Sequence, residues 1–287
     1  MDCDKKFSAG VRSALKEDIG RNDITTSLFI PADKSIKADL VAKEVCVVCG
    51  LGIACLVLKA KDKNIKFMPK VKDGDFVRKG KAIARVQGNA RQILTAERVM
   101  LNYICFLSGV ATKARQYVNA AKPYRVKIID TRKTVPGLRE LEKYAVRVGG
   151  GFNHRMRLDE MILIKDNHIE VLGDRSWVLG FDKIRKRIPK NIKIEIEVKN
   201  LREFKKALKM TPDIILLDNM SISDMKKAVS IRNNLSPATY HLIPKLEASG
   251  RVTLERVKKI ASCGVDMISV GSLTHSVRSI DMSLEVL

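Results

Sequence analysis

Polar and charged residues collect where short apolar runs end in the second half of this chain. Val126–Ile129 leads into Asp130-Thr-Arg-Lys-Thr134, and Met161–Ile164 into Lys165-Asp-Asn-His168. Ile214–Leu217 leads into Asp218-Asn219, Leu242–Leu246 into Glu247-Ala-Ser-Gly250, and Met267–Val270 into Gly271-Ser-Leu-Thr-His275. Arg132, Lys133, His154, Arg155 and Lys165 form a cationic set across two run ends and the Gly149-Gly-Gly-Phe-Asn-His-Arg155 loop. Cations converging on one pocket repel each other unless an anion with more than one negative group binds there. The glycine run is expected to let backbone approach such a ligand.

A different chemistry is written into Lys193-Ile-Glu-Ile-Glu-Val198. As a strand it puts Ile194, Ile196 and Val198 on one face and Glu195 and Glu197 on the other. With Asp218 near, those carboxylates could bind Mg²⁺ or sugar hydroxyls, or stabilise positive charge developing on a ribose. Ser249-Gly250 and Gly271-Ser272 follow successive runs and resemble backbone phosphate sites. The order and spacing of Ser, His and Asp give no nucleophile elbow, so covalent acyl transfer is not supported.

The elements that must position these residues alternate. Six short strands, over 126–129, 161–164, 192–198, 214–217, 242–246 and 267–270, are interleaved with helical spacing over 138–148, 201–210, 223–234 and 253–263. Such alternation predicts parallel strands with right-handed crossovers, and catalytic groups then gather at the strands' C-terminal ends. Residues 36–88 instead read as a β-rich domain in which Asp73-Gly74 marks a turn of a lipoyl-type barrel sandwich. Helical spacing follows over 92–121 and carries Glu97, Arg98 and Asn102. The expected fold is α/β plus α+β: an open (β/α) barrel of about six parallel strands behind an N-terminal lipoyl-like barrel-sandwich domain. The expected division is 1–110 for the N-terminal domain and 111–275 for the barrel, with 276–287 packing back on the N-terminal domain.

Composition narrows the partners. The excess of 54 Lys and Arg over 32 Asp and Glu, a net charge of +22, attracts anions of any kind. Nucleic-acid binding would bring aromatics interleaved with the basic residues, and Trp177 is the single Trp with no aromatic ladder in any basic block. Cys46 and Cys49 make a C-x-x-C on a strand, where positions three apart face opposite ways, and no second ligand pair follows, so a zinc or redox site is not expected. Gly74 and Gly80 are spaced wrongly for a P-loop, and Gly50-Leu-Gly52 lacks a third glycine. No apolar run of about 18 residues stands out as a membrane span. A cytoplasmic protein without membrane or nucleic-acid partners is expected.

Long segments resemble the quinolinate phosphoribosyltransferase family. They are Asp130-Thr-Arg-Lys-Thr-Val-Pro-Gly-Leu-Arg139, Glu142-Lys-Tyr-Ala-Val-Arg-Val-Gly-Gly-Gly151, Asn153-His-Arg-Met156, Leu163-Ile-Lys-Asp-Asn-His-Ile169, Glu195-Ile-Glu-Val198, Ile215-Leu-Leu-Asp-Asn-Met220, Leu246-Glu-Ala-Ser-Gly250 and 264–276. The resemblance implies that quinolinate and 5-phosphoribosyl-1-pyrophosphate combine with Mg²⁺ present, releasing pyrophosphate and CO₂ and giving nicotinate mononucleotide. It implies that Arg132, His154, Arg155 and Lys165 hold the quinolinate carboxylates and that Lys133 reaches the substrate phosphates. Glu197 and Asp218 would face the ribose and Mg²⁺, and Ser249, Gly250, Gly271 and His275 would cradle the 5-phosphate. It also implies a homodimer or a hexamer of dimers, with Arg98 contributed across the interface. The chain departs from the family pattern at Arg251, Arg157 and Lys199; Arg251 stands where a second glycine is usual. Two alternatives are a molybdenum-transport-associated relative of the same fold, against which Lys165-Asp-Asn-His168 argues, and a basic nucleic-acid-binding protein.

Overall fold

The computed structural model describes residues 3–172, 181, 184–236 and 243–287. Two compact units are present, one of residues 1–115, 135–150 and 273–287, the other of 116–134 and 151–272. Residues 135–150, which strand and helix alternation alone would leave with the barrel, group with the first unit.

In the first unit, β1 (Ser35–Ala42), β3 (Lys66–Pro69), β5 (Ala82–Asn89) and β12 (Met282–Val286) form an antiparallel sheet in the order β12-β1-β5-β3. A two-stranded ribbon, β2 (Cys46–Val47) with β4 (Phe76–Val77), accompanies it. Asp39 lies directly opposite Arg85 and accepts from its Nε at 2.7 Å and Nη2 at 2.9 Å, and from Lys70 Nζ at 2.8 Å. Those bonds hold the Asp39 carboxyl far below the usual range. Its stabilising contribution is therefore present above the ordinary carboxylate pKa and is lost only as pH falls through the lowered one.

Asn89 ends β5 and caps the next helix, its Oδ1 accepting from Gln92 N at 3.2 Å. That helix, Ala90–Ala121, buries Ile93, Ala96, Met100, Ile104, Leu107, Ala111 and Ala114, a stripe at intervals of three and four residues. By length and composition it could cross a membrane, a property the interruptions at Glu97, Arg98 and Asn102 hide from a search for unbroken apolar runs. The buried stripe reads as a core helix.

The Asp73-Gly74 turn has a structural task. Asp73 Oδ1 accepts from Gly50 N and Leu51 N, both at 3.1 Å, at the start of the helix Leu51–Lys61, while Oδ2 accepts from Tyr144 Oη at 2.8 Å. Gly74 and Gly80 supply the positive φ of turns, 97° and 84°. Cys46 and Cys49 are both buried, and burial pushes both thiols up, Cys46 to about 11. Protonated thiols are poor metal ligands and nucleophiles.

The second unit holds a six-stranded parallel sheet in the order β6-β11-β10-β9-β8-β7. Its strands are β6 (Lys127–Ile129), β7 (Ile162–Ile164), β8 (Ile194–Val198), β9 (Ile214–Asp218), β10 (Lys245–Ser249) and β11 (Met267–Ser269). Neighbours follow chain order except that β6 and β7 are the two edges, which is the arrangement of an open barrel. Leu242, the expected start of the fifth strand, lies outside the described residues; β10 instead begins at Lys245, so Glu247 is inside the strand rather than beyond it. Helices start where the sequence supplies caps. Asn200, Ser221 and Thr253 accept from the backbone N–H of Glu203, Asp224 and Arg256. Met225, Ala228 and Val229 on one helix, and Val257 and Ile260 on the next, are buried in this unit.

Candidate active site

The loop after β6 is built around Asp130, which is fully buried. Phe152 forms a parallel bridge beside Ile129, and this brings the following residues over the end of β6. Asp130 then accepts from His154 N at 2.9 Å and from Asn153 Nδ2. Burying that carboxylate is tolerable because it is hydrogen-bonded on two sides. The preceding glycines serve packing rather than ligand approach. A Cβ on Gly149 would meet Ala111 O at 2.5 Å, and Gly150 turns with φ 94°.

The cations sit on this frame. Arg132 Nε is buried without a hydrogen-bond partner among the described residues. Arg155 donates from Nη1 to Met161 O at 2.7 Å. Burial, and then the neighbouring Arg132, disfavour the charged form of Arg155, while Glu195 supports it. Lys165 follows β7 and acts electrostatically on both Glu195 and Glu197. Lys133 is exposed, its N–H donating to Thr131 Oγ1 at 3.1 Å. A buried orphan donor beside a second, desolvated guanidinium has the chemistry to receive an anion.

Two kinds of carboxylate follow. Glu195 is fully buried, as is Glu247 at 1% exposure on β10. Desolvation pushes both carboxyls well above the usual range, with the charge of Glu197 adding to it at Glu195 and the charge of Glu195 adding to it at Glu247. Glu195 Oε1 and both oxygens of Glu247 have no donor facing them, so a hydrogen bond joins the two carboxyl groups only when one of them carries a proton. Glu197, by contrast, is half-buried at the mouth. Burial raises its proton affinity, Asp218 and Asp166 add to that, and Lys165 and Lys199 oppose it. Asp218 ends β9 and accepts from Asn219 Nδ2 at 2.9 Å.

Asn219 joins the acidic mouth to the next strand end. It has φ 52°, its N–H donates to Ser249 O at 2.9 Å, and its side chain packs on Gly250. Gly250 has φ 90°, and a Cβ there would lie 2.3 Å from Asn219 Oδ1. Arg251 follows at φ 45°, so the position where the family usually has glycine does require positive φ, and Arg251 occupies it against the preference of a side-chain-bearing residue. Ser272 Oγ, just past β11, is buried with no partner among the described residues. Gly250→Ala is expected to cost about 1–3 kcal/mol of stability, because strain and clash act at the same loop. Thermal unfolding checks this; an alanine protein as stable as wild type contradicts it.

Arg132, Lys133, His154, Arg155, Lys165, Glu197, Asp218, Ser249, Gly250 and Gly271 all belong to the second unit, at or just beyond the C-terminal ends of one sheet. Arg98, exposed on the helix Ala90–Ala121, and His275, whose Nδ1 lies 2.7 Å from Ser276 Oγ, belong to the first. Of the departures, Lys199 pairs with Asp166 at 2.6 Å, and Arg157 with Asp159 at 3.2 Å on the exposed surface. Glu247, Asn219 and Ser272 lie in strand ends that the sequence marked as polar, but none was singled out as a candidate site residue, and Glu247 was placed past its strand.

Residues 23–108 match the description "Quinolinate phosphoribosyl transferase, N-terminal domain", and residues 110–285 match "Quinolinate phosphoribosyl transferase, C-terminal domain". The chain belongs to the quinolinate phosphoribosyl transferase family. It is 40% identical over 292 residues to a nicotinate-nucleotide pyrophosphorylase [carboxylating] of Mycobacterium leprae, covering 100% of both chains. To a probable nicotinate-nucleotide pyrophosphorylase [carboxylating] of Bacillus subtilis it is 41% identical over 271 residues, covering 94% of this chain and 90% of the relative. The solved nicotinate-nucleotide pyrophosphorylase of Ehrlichia chaffeensis superposes with a TM-score of 0.90 at 40% identity, over 98% of this quinolinate phosphoribosyl transferase family member and 99% of that chain.

Proposed function

We infer that the protein transfers the 5-phosphoribosyl group of 5-phosphoribosyl-1-pyrophosphate to quinolinate and releases CO₂, giving nicotinate mononucleotide for NAD biosynthesis. The observation that carries this reading is the order of groups along the strand ends from β7 to β11: the cation Lys165, carboxylates at Glu197 and Asp218, then the Gly and Ser loops at 249–250 and 271–272. A dianion, a sugar and a phosphate would bind across that row in that sequence.

In this reading Arg132, Arg155 and Lys165 hold the two ring carboxylates and present the pyridine nitrogen to C1 of the ribose. Lys133 reaches the substrate phosphates. As the bond to pyrophosphate breaks, C1 gains oxocarbenium character that Glu197 and Asp218 stabilise. The ring nitrogen forms the new bond, and the quaternised ring then accepts the electron pair left when the adjacent carboxylate departs as CO₂. A proton replaces it. No protein nucleophile is needed, so the residues mainly position. Two neighbouring carboxylates are a donor set suited to a hard divalent cation, and Glu197 and Asp218 would hold Mg²⁺, which when bound adds positive charge beside the pyrophosphate. Ser249, Gly250, Gly271 and His275 are proposed for the 5-phosphate.

Pyrophosphate release from 5-phosphoribosyl-1-pyrophosphate that depends on added quinolinate tests the reading, and release independent of quinolinate opposes it. The proposed assembly is a dimer, alone or within a hexamer, in the cytoplasm, with Arg98 of the partner subunit completing each site. Arg98→Ala should then raise the quinolinate KM roughly tenfold without loss of thermal stability, since it removes an anion partner and no core volume. At quinolinate far below the raised KM, where neither variant alone is appreciably active, mixing Arg98→Ala and Lys165→Ala proteins should recover about one quarter of wild-type activity, because half of randomly formed dimers carry one intact site. No recovery in a mixture shown by mass to hold heterodimers would place Arg98 in its own subunit's site or outside any site.

A further inference from the structure

His154, Glu195 and Glu247 bring three potential ligand atoms within 4.8 Å of one another in a buried position. The backbone decides between a metal site and a hydrogen-bonded array. Arg155 N donates to His154 Nδ1 at 2.8 Å, so Nδ1 carries a lone pair and no proton. The neutral ring must then keep its proton on Nε2, which lies 2.9 Å from Glu195 Oε2 and 3.7 Å from Glu247 Oε2. A metal on Nε2 would require the ring proton to move to Nδ1, into the face of an N–H group. The geometry is that of a donor bonded to Glu195, with the Glu247 carboxyl just beyond hydrogen-bond distance behind it.

We propose that Glu195 and Glu247 lock the His154 imidazole in its Nε2–H form, and that this array positions Arg155 for substrate while neither ring nitrogen of His154 contacts the substrate. The inference rests on the quinolinate reading of the site and changes the part His154 plays in it. Arg155 is fixed at both ends: its N–H on the His154 ring and its Nη1 on Met161 O at 2.7 Å. The peptide carrying it is fixed as well, through His154 N on the buried Asp130. Glu195 also supplies a charge opposite to Arg155, whose guanidinium is otherwise disfavoured by burial and by Arg132. A guanidinium anchored in this way meets a planar carboxylate in one orientation and loses little freedom on binding. Glu195 and Glu247 stand on β8 and β10, the two strands that flank β9, so the array spans the middle of the sheet.

The test reads the imidazole directly in full-length, ¹⁵N-labelled enzyme. The chain has four histidines, and a His154→Asn spectrum identifies the signals that belong to His154. A neutral ring protonated at Nε2 between about pH 6 and 8, unchanged when quinolinate saturates the enzyme, is the expected result. An imidazolium, or a ring whose protonation changes on quinolinate binding, overturns the proposal. Kinetics supply the second arm. His154→Leu should raise the quinolinate KM about tenfold or more and change kcat less, with the KM for 5-phosphoribosyl-1-pyrophosphate unmoved. His154→Gln can place an amide donor near the Nε2 position and should recover most of that loss; a glutamine enzyme as impaired as the leucine one counts against the array. Wild-type protein inert toward quinolinate would overturn the functional reading itself, whereas active wild type with a charged His154 would overturn only the array.

Discussion

Glu197→Gln is expected to lower kcat about a hundredfold or more while shifting the quinolinate KM by no more than about threefold. The amide keeps the shape of the carboxyl group and removes its charge. That charge matters little to the bound ground state, in which C1 of the ribose is nearly neutral, and greatly to a transition state with positive charge at C1. Glu197 is placed for this: half-buried, beside Asp218, with Lys165 and Lys199 opposing the burial that raises its proton affinity. The same raised affinity predicts a pH effect. Activity needs the carboxylate, so the acid limb of the kcat profile should fall at a higher pH than an ordinary glutamate would give, and this limb should be missing in the glutamine enzyme. Steady-state kinetics across pH measure both effects. A Glu197→Gln enzyme with kcat within twofold of wild type would remove Glu197 from the chemistry.

The second large effect is discrimination between pyridine acids. Quinolinate carries two carboxylates and nicotinate one, while the pocket offers at least two guanidinium groups in a desolvated setting. A single carboxylate leaves one of those cations without a counter-charge, and an unpaired charge in a buried site costs several kcal/mol. Quinolinate should therefore be preferred over nicotinate by about a thousandfold in kcat/KM. The comparison is simple because both acids would yield the same nucleotide and release pyrophosphate, which one assay follows. Equal efficiency with the two acids would contradict the assignment of the cationic pocket to two carboxylates.

How far the sequence went depended on the range of the interaction concerned. Ile214–Asp218 was legible as a short apolar run closed by a charged residue and Ile194–Val198 as an apolar–charged alternation, and their parallel order followed from the helices between them. The alternation in Lys193–Val198 placed Glu195 and Glu197 on one face, but it could not show that one is fully buried and the other at the mouth; that depends on distance from the strand end and on Glu247 arriving from β10. The family pattern at Arg251 hinted at positive φ, and the backbone supplies it. The glycines at 149 and 150 read as a ligand loop and prove to be packing and turn positions, since their neighbour Ala111 is far away in the chain. The tautomer of His154 is beyond any motif, for it is set by an N–H direction within one peptide.

The central claim is the reaction itself, and mass spectrometry of its products tests it most directly. Purified protein supplied with quinolinate labelled at the 2-carboxylate, 5-phosphoribosyl-1-pyrophosphate and Mg²⁺ should form nicotinate mononucleotide with no label, and labelled CO₂ in equal amount. Absence of nicotinate mononucleotide, or a nucleotide that retains the labelled carboxylate, would contradict the account.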